Sequence, residues 1–190
     1  MRPRTVIAGV IVATAVAIPV GMYLWSRDWD DQAKPWPDSQ APCGGFDFPV
    51  GAPDAAGYYD AQPFGENDHL GNDWNGKRGG NTDLGDPVYA TADGVVIEAI
   101  DIGGGWGNVV RIVHPCRVES LYAHLDAIEV TLGATVRRGA RIGTIGTAHG
   151  TYPAHLHFEL RDRPLPLGGG YDSDQTGYLD PTAYIRAHRP

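Results

Sequence analysis

His155-Leu156-His157-Phe158-Glu159-Leu160 decides how this chain is read. Side chains alternate across a β-strand, so His155, His157 and Glu159 share one face while Leu156, Phe158 and Leu160 share the other. The second face is an ordinary core face. On the first, the two imidazoles are separated by about 6.5–7 Å at their Cα atoms, given ~3.3 Å of rise per residue. That spacing lets both serve one site.

Two further stretches carry compatible chemistry. In Leu121-Tyr122-Ala123-His124-Leu125, alternation sends Tyr122 and His124 one way and the apolar residues the other. Tyr122 then either lines a groove or packs. In His69-Leu70-Gly71-Asn72-Asp73, a histidine and a carboxylate are separated by three intervening residues on a glycine-containing loop. Imidazole nitrogen and carboxylate oxygen are the ligands Zn²⁺ takes outside thiolate sites, and catalytic zinc usually has three of them plus water. His-x-x-x-Asp alone arises often by chance; its combination with His-x-His in a chain holding only two cysteines does not.

Around these motifs the pattern is one of short strands between turns. Strands are expected over Pro87–Thr91, Gly94–Asp101, Gly107–His114, Arg117–Leu125, Arg141–Ile145 and Ala154–Arg161, with Asp93-Gly94 as a tight turn. Gly103-Gly104-Gly105-Trp106-Gly107 lacks the Gly-Lys-Ser/Thr of a phosphate loop and joins strand to strand, so it reads as a hairpin. One short C-terminal helix is expected at Asp180–His188, with Asp180 as N-cap and Pro181 in the first turn. Glycine (26) and proline (15) in 190 residues rule out a mainly helical chain. The fold class is therefore mainly β and antiparallel.

Residues Thr5–Trp25 carry no charge and 16 apolar side chains in 21 positions. As a helix this stretch is about 31 Å long, matching a hydrocarbon core of ~30 Å. Arg2 and Arg4 precede it, which places the amino terminus in the cytoplasm and the remainder across the membrane. The competing reading is a signal peptide cleaved at Ala15-Val16-Ala17. Both export the domain. The expected organisation is a membrane helix at 1–25, an extracytoplasmic linker at 26–45 and one domain at 46–190. Export makes a Cys43–Cys116 disulfide the expected state of the two cysteines. A net charge of −8, with no basic run, weighs against a nucleic-acid partner. No pattern bears on oligomeric state.

Taken in order, His69-Leu70-Gly71-Asn72-Asp73, Gly85-Asp86-Pro87-Val88-Tyr89-Ala90, Trp106-Gly107-Asn108-Val109-Val110, Tyr122-Ala123-His124-Leu125 and His155-Leu156-His157-Phe158-Glu159 resemble the lysostaphin-like (LytM-type) zinc metallopeptidases. The resemblance spans roughly Phe46 to Leu160. It implies a groove in an antiparallel sheet of duplicated-hybrid type, one Zn²⁺ per chain, and cleavage of peptide bonds in the stems or cross-bridges of bacterial peptidoglycan. It also implies that His69, Asp73 and His157 are the metal ligands and that His124 and His155 are the catalytic pair. The chain departs from the pattern at Asp73–Gly85, which is long, and at His149-Gly150-Thr151-Tyr152-Pro153, which replaces a small-residue loop. Both bear on substrate choice and neither touches a ligand.

No His-Glu-x-x-His helix supplies a glutamate base, so proton transfer falls to His124 and His155, whose side-chain type titrates in the right range. Glu159 either orients a histidine or faces solvent, and His114 reads as structural. Two other functions fit the same motifs: a catalytically inactive wall-binding module or hydrolase activator, and a zinc peptidase acting on exported proteins.

Overall fold

The computed structural model describes residues 42–190. The anchor expected at Thr5–Trp25 and all but the last few residues of the expected 26–45 linker lie outside them. Among the described residues no helix is long and apolar enough to cross a membrane.

Eleven strands are formed among the described residues: β1 (Tyr58–Gln62), β2 (Asn72–Gly76), β3 (Pro87–Tyr89), β4 (Gly94–Gly103), β5 (Gly107–His114), β6 (Val118–Leu125), β7 (Ala127–Ile128), β8 (Thr135–Val136), β9 (Arg141–Thr144), β10 (Leu156–Arg161) and β11 (Tyr178–Leu179). The large antiparallel sheet runs β1-β2-β10-β6-β5-β4-β8, with β11 pairing the end of β10. A three-stranded sheet, β3-β9-β7, completes the fold. Mainly antiparallel β structure is the expected class.

Among the described residues two apolar clusters are buried: a small one of Val109, Leu121 and Ala123, and the larger core, which lies between the sheets. Leu156, Phe158 and Leu160 of β10 enter it as alternation requires, beside Tyr122, Val110, Ile112, Val88, Ile142 and Ile145. Removing each large apolar side chain from water contributes about 1.5–3 kcal/mol. The short helix α1 (Pro181–Ala187) closes one end, burying Ile185, and its N-cap Asp180 accepts a hydrogen bond from the Ala183 amide. Cys43 and Cys116 are bonded, with Cα atoms 5.1 Å apart. The bridge ties the start of the described chain to the β5–β6 turn.

Three local expectations change. Asp93-Gly94 is not a hairpin turn, because β3 pairs β9 and β4 pairs β5, so the chain changes sheets there. Asp73 lies on a strand, β2, rather than a loop; the polar stretch Asn72-Asp73-Trp74-Asn75-Gly76 has no hydrophobic alternation to announce it. The third concerns Tyr122 and His124. Tyr122 is fully buried in the core against Phe158. His124 has φ +62°, and the β5–β6 register shifts between Asn108 and Val110, so the strand bulges at Ala123-His124. A bulge reverses alternation locally. It carries the His124 side chain away from the core, to the face occupied by His157.

Candidate metal centre and groove

Antiparallel pairing brings His157 of β10 directly opposite Asp73 of β2 on one side and Ala123 of β6 on the other. His69 approaches from the segment before β2, where it forms a β-bridge with Tyr171. The three donor atoms converge: His69 Nε2 is 3.1 Å from His157 Nδ1, His157 Nδ1 is 3.0 Å from Asp73 Oδ1, and His69 Nε2 is 3.4 Å from Asp73 Oδ1. Ligands at 2.0–2.1 Å around a tetrahedral zinc are separated by about 3.3 Å. The triangle therefore fits such an ion.

Hydrogen bonds on the far side of each ring select the nitrogen that faces this triangle. His69 donates its Nδ1–H to the Gln62 carbonyl (3.0 Å), leaving Nε2 for the site. His157 donates Nε2–H to Glu159 Oε1 (2.9 Å), leaving Nδ1. This is the outer-shell arrangement typical of metal-binding histidines. Glu159 has no solvent exposure, so it is a partner of His157 and not a surface carboxylate. Gly71 is needed where it is: a Cβ there would lie 2.5 Å from the Phe158 carbonyl and 3.1 Å from His157 Cε1.

Burial draws the His157 pKa down, but hydrogen bonds and charge from Asp73 and Glu159 outweigh it and leave the imidazole near 9 without a metal. Burial would raise Asp73; its bonds to His157 and His69 instead hold it far below the usual carboxylate range. A dicationic metal bound here would take the place of that proton in the same well of negative charge.

His124 and His155 stand beside the triangle with ring centroids 4.7 Å apart, and His124 is 5.6 Å from His157. His124 Nδ1 bonds the Trp106 carbonyl (3.3 Å) and His155 Nδ1 the Pro153 carbonyl (2.9 Å). Nε2 is left as the working nitrogen of each. His155 Nε2 is 3.8 Å from Asp73 Oδ2. Burial, then the nearby His157 and His155, lower His124 to about 3.

All five expected site residues thus meet in one place. Asp73, His124, His155 and His157 border a cavity of about 470 Å³ walled by Gln62, Trp106, Tyr152 and Tyr171, with glycines 105, 169 and 170 between them, while His69 is buried behind them. Trp106 donates its indole N–H to the Gly168 carbonyl (3.2 Å), and the Tyr171 ring lies 5.0 Å from that of His69. These wall residues escaped the sequence reading because Gln62 at the end of β1, Trp106 between β4 and β5, and Tyr171 after β10 share no period. Of the two departures noted above, the 149–153 loop does line the cavity, through Tyr152 and Pro153. Beyond Asp73 itself, the Asp73–Gly85 stretch does not; its Asn81 Oδ1 accepts from the Ala154 amide (2.9 Å), next to His155. His114 is buried between the Asp93 carbonyl and Ser120 Oγ, a structural position.

The family model for Peptidase family M23 matches residues 68–170, a span containing all five histidine and aspartate positions. The chain belongs to peptidase family M23. Among its relatives is the DD-carboxypeptidase/endopeptidase Mpg of Neisseria meningitidis serogroup B, 43% identical over 83 residues, covering 44% of this chain and 19% of the relative. The murein hydrolase activator NlpD of Salmonella typhimurium is 40% identical over 77 residues, 40% of this chain and 20% of that one. The antimicrobial peptidase lysostaphin from Staphylococcus simulans superposes with a TM-score of 0.52 at 25% identity, over 68% of this chain and 48% of that one. The chain spans about a fifth of the length of the first curated relatives it matches. This M23 chain shares its mainly antiparallel fold with lysostaphin.

Proposed function

We propose that this M23 protein is a zinc-dependent endopeptidase that hydrolyses peptide bonds in bacterial peptidoglycan. The observation that carries the reading is the triangle of His69 Nε2, Asp73 Oδ1 and His157 Nδ1, with sides of 3.0–3.4 Å, set beside the His124–His155 pair. These three residues would hold one Zn²⁺, which when bound supplies Lewis-acid polarisation of the scissile carbonyl and acidifies water. His124 and His155 do the proton work. Each has Nδ1–H tied to a backbone carbonyl and Nε2 free to accept or donate. Water adds to the carbonyl carbon, its proton passes to an imidazole Nε2, and the C–N bond breaks as a proton reaches the leaving nitrogen. Trp106, Tyr152 and Tyr171 flank the extended peptide, and the glycines between them leave room for its backbone. The envelope is the site of action, with Thr5–Trp25 as the membrane anchor of an exported domain.

A relative named as a murein hydrolase activator supports a second reading, a wall-binding M23 domain without catalysis. Retention of all five site residues in bonding geometry favours catalysis. Purified full-length protein incubated with sacculi tests it. Release of soluble muropeptides by zinc-loaded protein, abolished by chelator and restored by zinc, is expected. Stoichiometric zinc with intact sacculi would establish the activator instead, and hydrolysis of exported proteins but not of sacculi would move the substrate off the wall.

A further inference from the structure

The face of β10 behind the metal centre is charged and dry. His157, Glu159 and Arg161 occupy it at alternate positions, with relative exposures of 3%, 0% and 0%. Glu159 divides its two oxygens: Oε1 accepts from His157 Nε2 (2.9 Å), and Oε2 faces Arg161, 2.8 Å from Nε and 2.6 Å from Nη2. Arg161 Nη1 reaches Glu119 Oε1 (3.5 Å), which also takes Arg111 Nε (2.7 Å), and Arg111 Nη1 meets Glu98 Oε2 (3.1 Å). Both arginines donate to the Leu165 carbonyl, at 3.1 Å and 2.9 Å. The Tyr178 ring lies 5.3 Å from the Arg161 guanidinium carbon.

Such a ladder is a poor way to gain stability. Desolvating several charges costs about as much as their attraction returns, and apolar residues of like volume are often as stable. Its geometry serves orientation. The His157 ring can turn about its Cβ–Cγ bond, and only an acceptor fixed behind Nε2 keeps Nδ1 on the metal side. A lone buried carboxylate would not stay fixed or charged there, and the planar guanidinium fork supplies both restraint and countercharge. The same arginines hold Leu165, in the segment that continues to Gly168 under Trp106 and Tyr171 against His69.

We propose that Arg161 is a positioning residue of the metal centre, acting through Glu159 to hold His157 with Nδ1 turned towards His69 and Asp73. The inference rests on the reading of those three residues as a zinc site. It is tested on full-length protein by chelator competition for Zn²⁺, well below each variant's melting temperature. Arg161→Met should weaken zinc binding about 10–100-fold, the usual size of an outer-shell loss. Arg111→Met removes a buried cation from the far end of the same ladder but leaves the Arg161–Glu159 contact. It should lower thermal stability while zinc affinity stays within about threefold of wild type, a range below one kcal/mol. If Arg161→Met does not fold, Arg161→Lys keeps the charge without the fork and should still bind zinc measurably more weakly than wild type. Wild-type affinity in a folded Arg161 variant, or equal losses in the Arg161 and Arg111 variants, overturns the proposal. Wild-type protein that takes up no zinc at all overturns the metal-site reading itself.

Discussion

Asp73 and His157 face each other across neighbouring antiparallel strands, Oδ1 to Nδ1 at 3.0 Å, although 84 residues separate them along the chain. Strand register, not sequence proximity, assembles the metal centre. With His69 they should behave as ligands: His69→Ala, Asp73→Ala and His157→Ala are each expected to lose stoichiometric zinc and with it all hydrolysis. Metal analysis and muropeptide release on the same preparations check this, and a variant that keeps both would not be a ligand.

His155 shares a strand face with His157 but belongs with His124. His155→Ala and His124→Ala should retain near-stoichiometric zinc and lose roughly 10²–10⁴-fold in rate, the usual contribution of acid–base catalysis. Loss of zinc from His155→Ala, with retention in His157→Ala, would exchange the two assignments.

Gly71 separates the first ligand from the second where the chain passes against the Phe158 carbonyl. Gly71→Ala places a methyl 2.5 Å from that oxygen and 3.1 Å from the His157 ring. An overpacking cost of about 1–3 kcal/mol is expected, together with weaker zinc binding. Urea titration and chelator competition measure the two. Unchanged zinc affinity would mean that β2 and β10 separate without disturbing His157.

His114 is fully buried, and desolvation lowers its pKa from 6.5 to about 4 despite its hydrogen bond to the Asp93 carbonyl. As pH falls from 6.5 towards 4, the unfolded chain takes a proton that the folded chain refuses. This contribution to stability is therefore complete above about pH 6.5 and lost on acidification, amounting to about 2–3 kcal/mol by pH 4.5. His114→Gln should lose less stability than wild type between pH 7 and 4.5 in urea unfolding. Every other titrating group is common to the two proteins, so coincident losses would show that His114 protonates without cost.

The Cys43–Cys116 bridge spans 73 residues. In the chain-entropy account a closed loop of that size contributes about 4 kcal/mol, and measured values usually run to about 2–4. Paired Cys43→Ser and Cys116→Ser substitution should lower the melting temperature in non-reducing buffer while leaving zinc content unchanged, since neither cysteine borders the metal centre. Equal melting temperatures would show that the core alone holds the amino-terminal segment in place.

Much of this was legible in one dimension. Leu156, Phe158 and Leu160 alternate with His155, His157 and Glu159 because a strand has a period of two, so one short segment announced both a core face and a chemical face. The hairpin at Gly103–Gly107, the β5 and β6 strands and the Asp180 cap followed from equally local signals, and the disulfide from the expectation of export. β1 and β2 did not. Neither shows a clean hydrophobic alternation; β2 is a strand because β10 offers it an edge, and β1 because β2 does. Tyr122 and His124 were assigned to one face by the same rule of two, and the bulge at Ala123-His124 breaks that rule.

What the sequence determined by itself was the inventory: short-range periodicity and turn residues carried an antiparallel β domain, and residue type carried four histidines and an aspartate able to serve a metal site, whose division into three expected ligands and an acid–base pair came from the family resemblance. Only the tertiary structure decided which atoms act. That His69 presents Nε2 and His157 presents Nδ1 depends on the Gln62 carbonyl and the Glu159 carboxylate behind the rings. That Glu159 is a dry, charged partner depends on Arg161, and on loop 162–177 covering a face that alternation alone would leave to solvent. Periodicity specifies which side of a strand a residue occupies. Register, bulges and the layer packed above that side specify its partners, and those are properties of chain segments far apart in sequence.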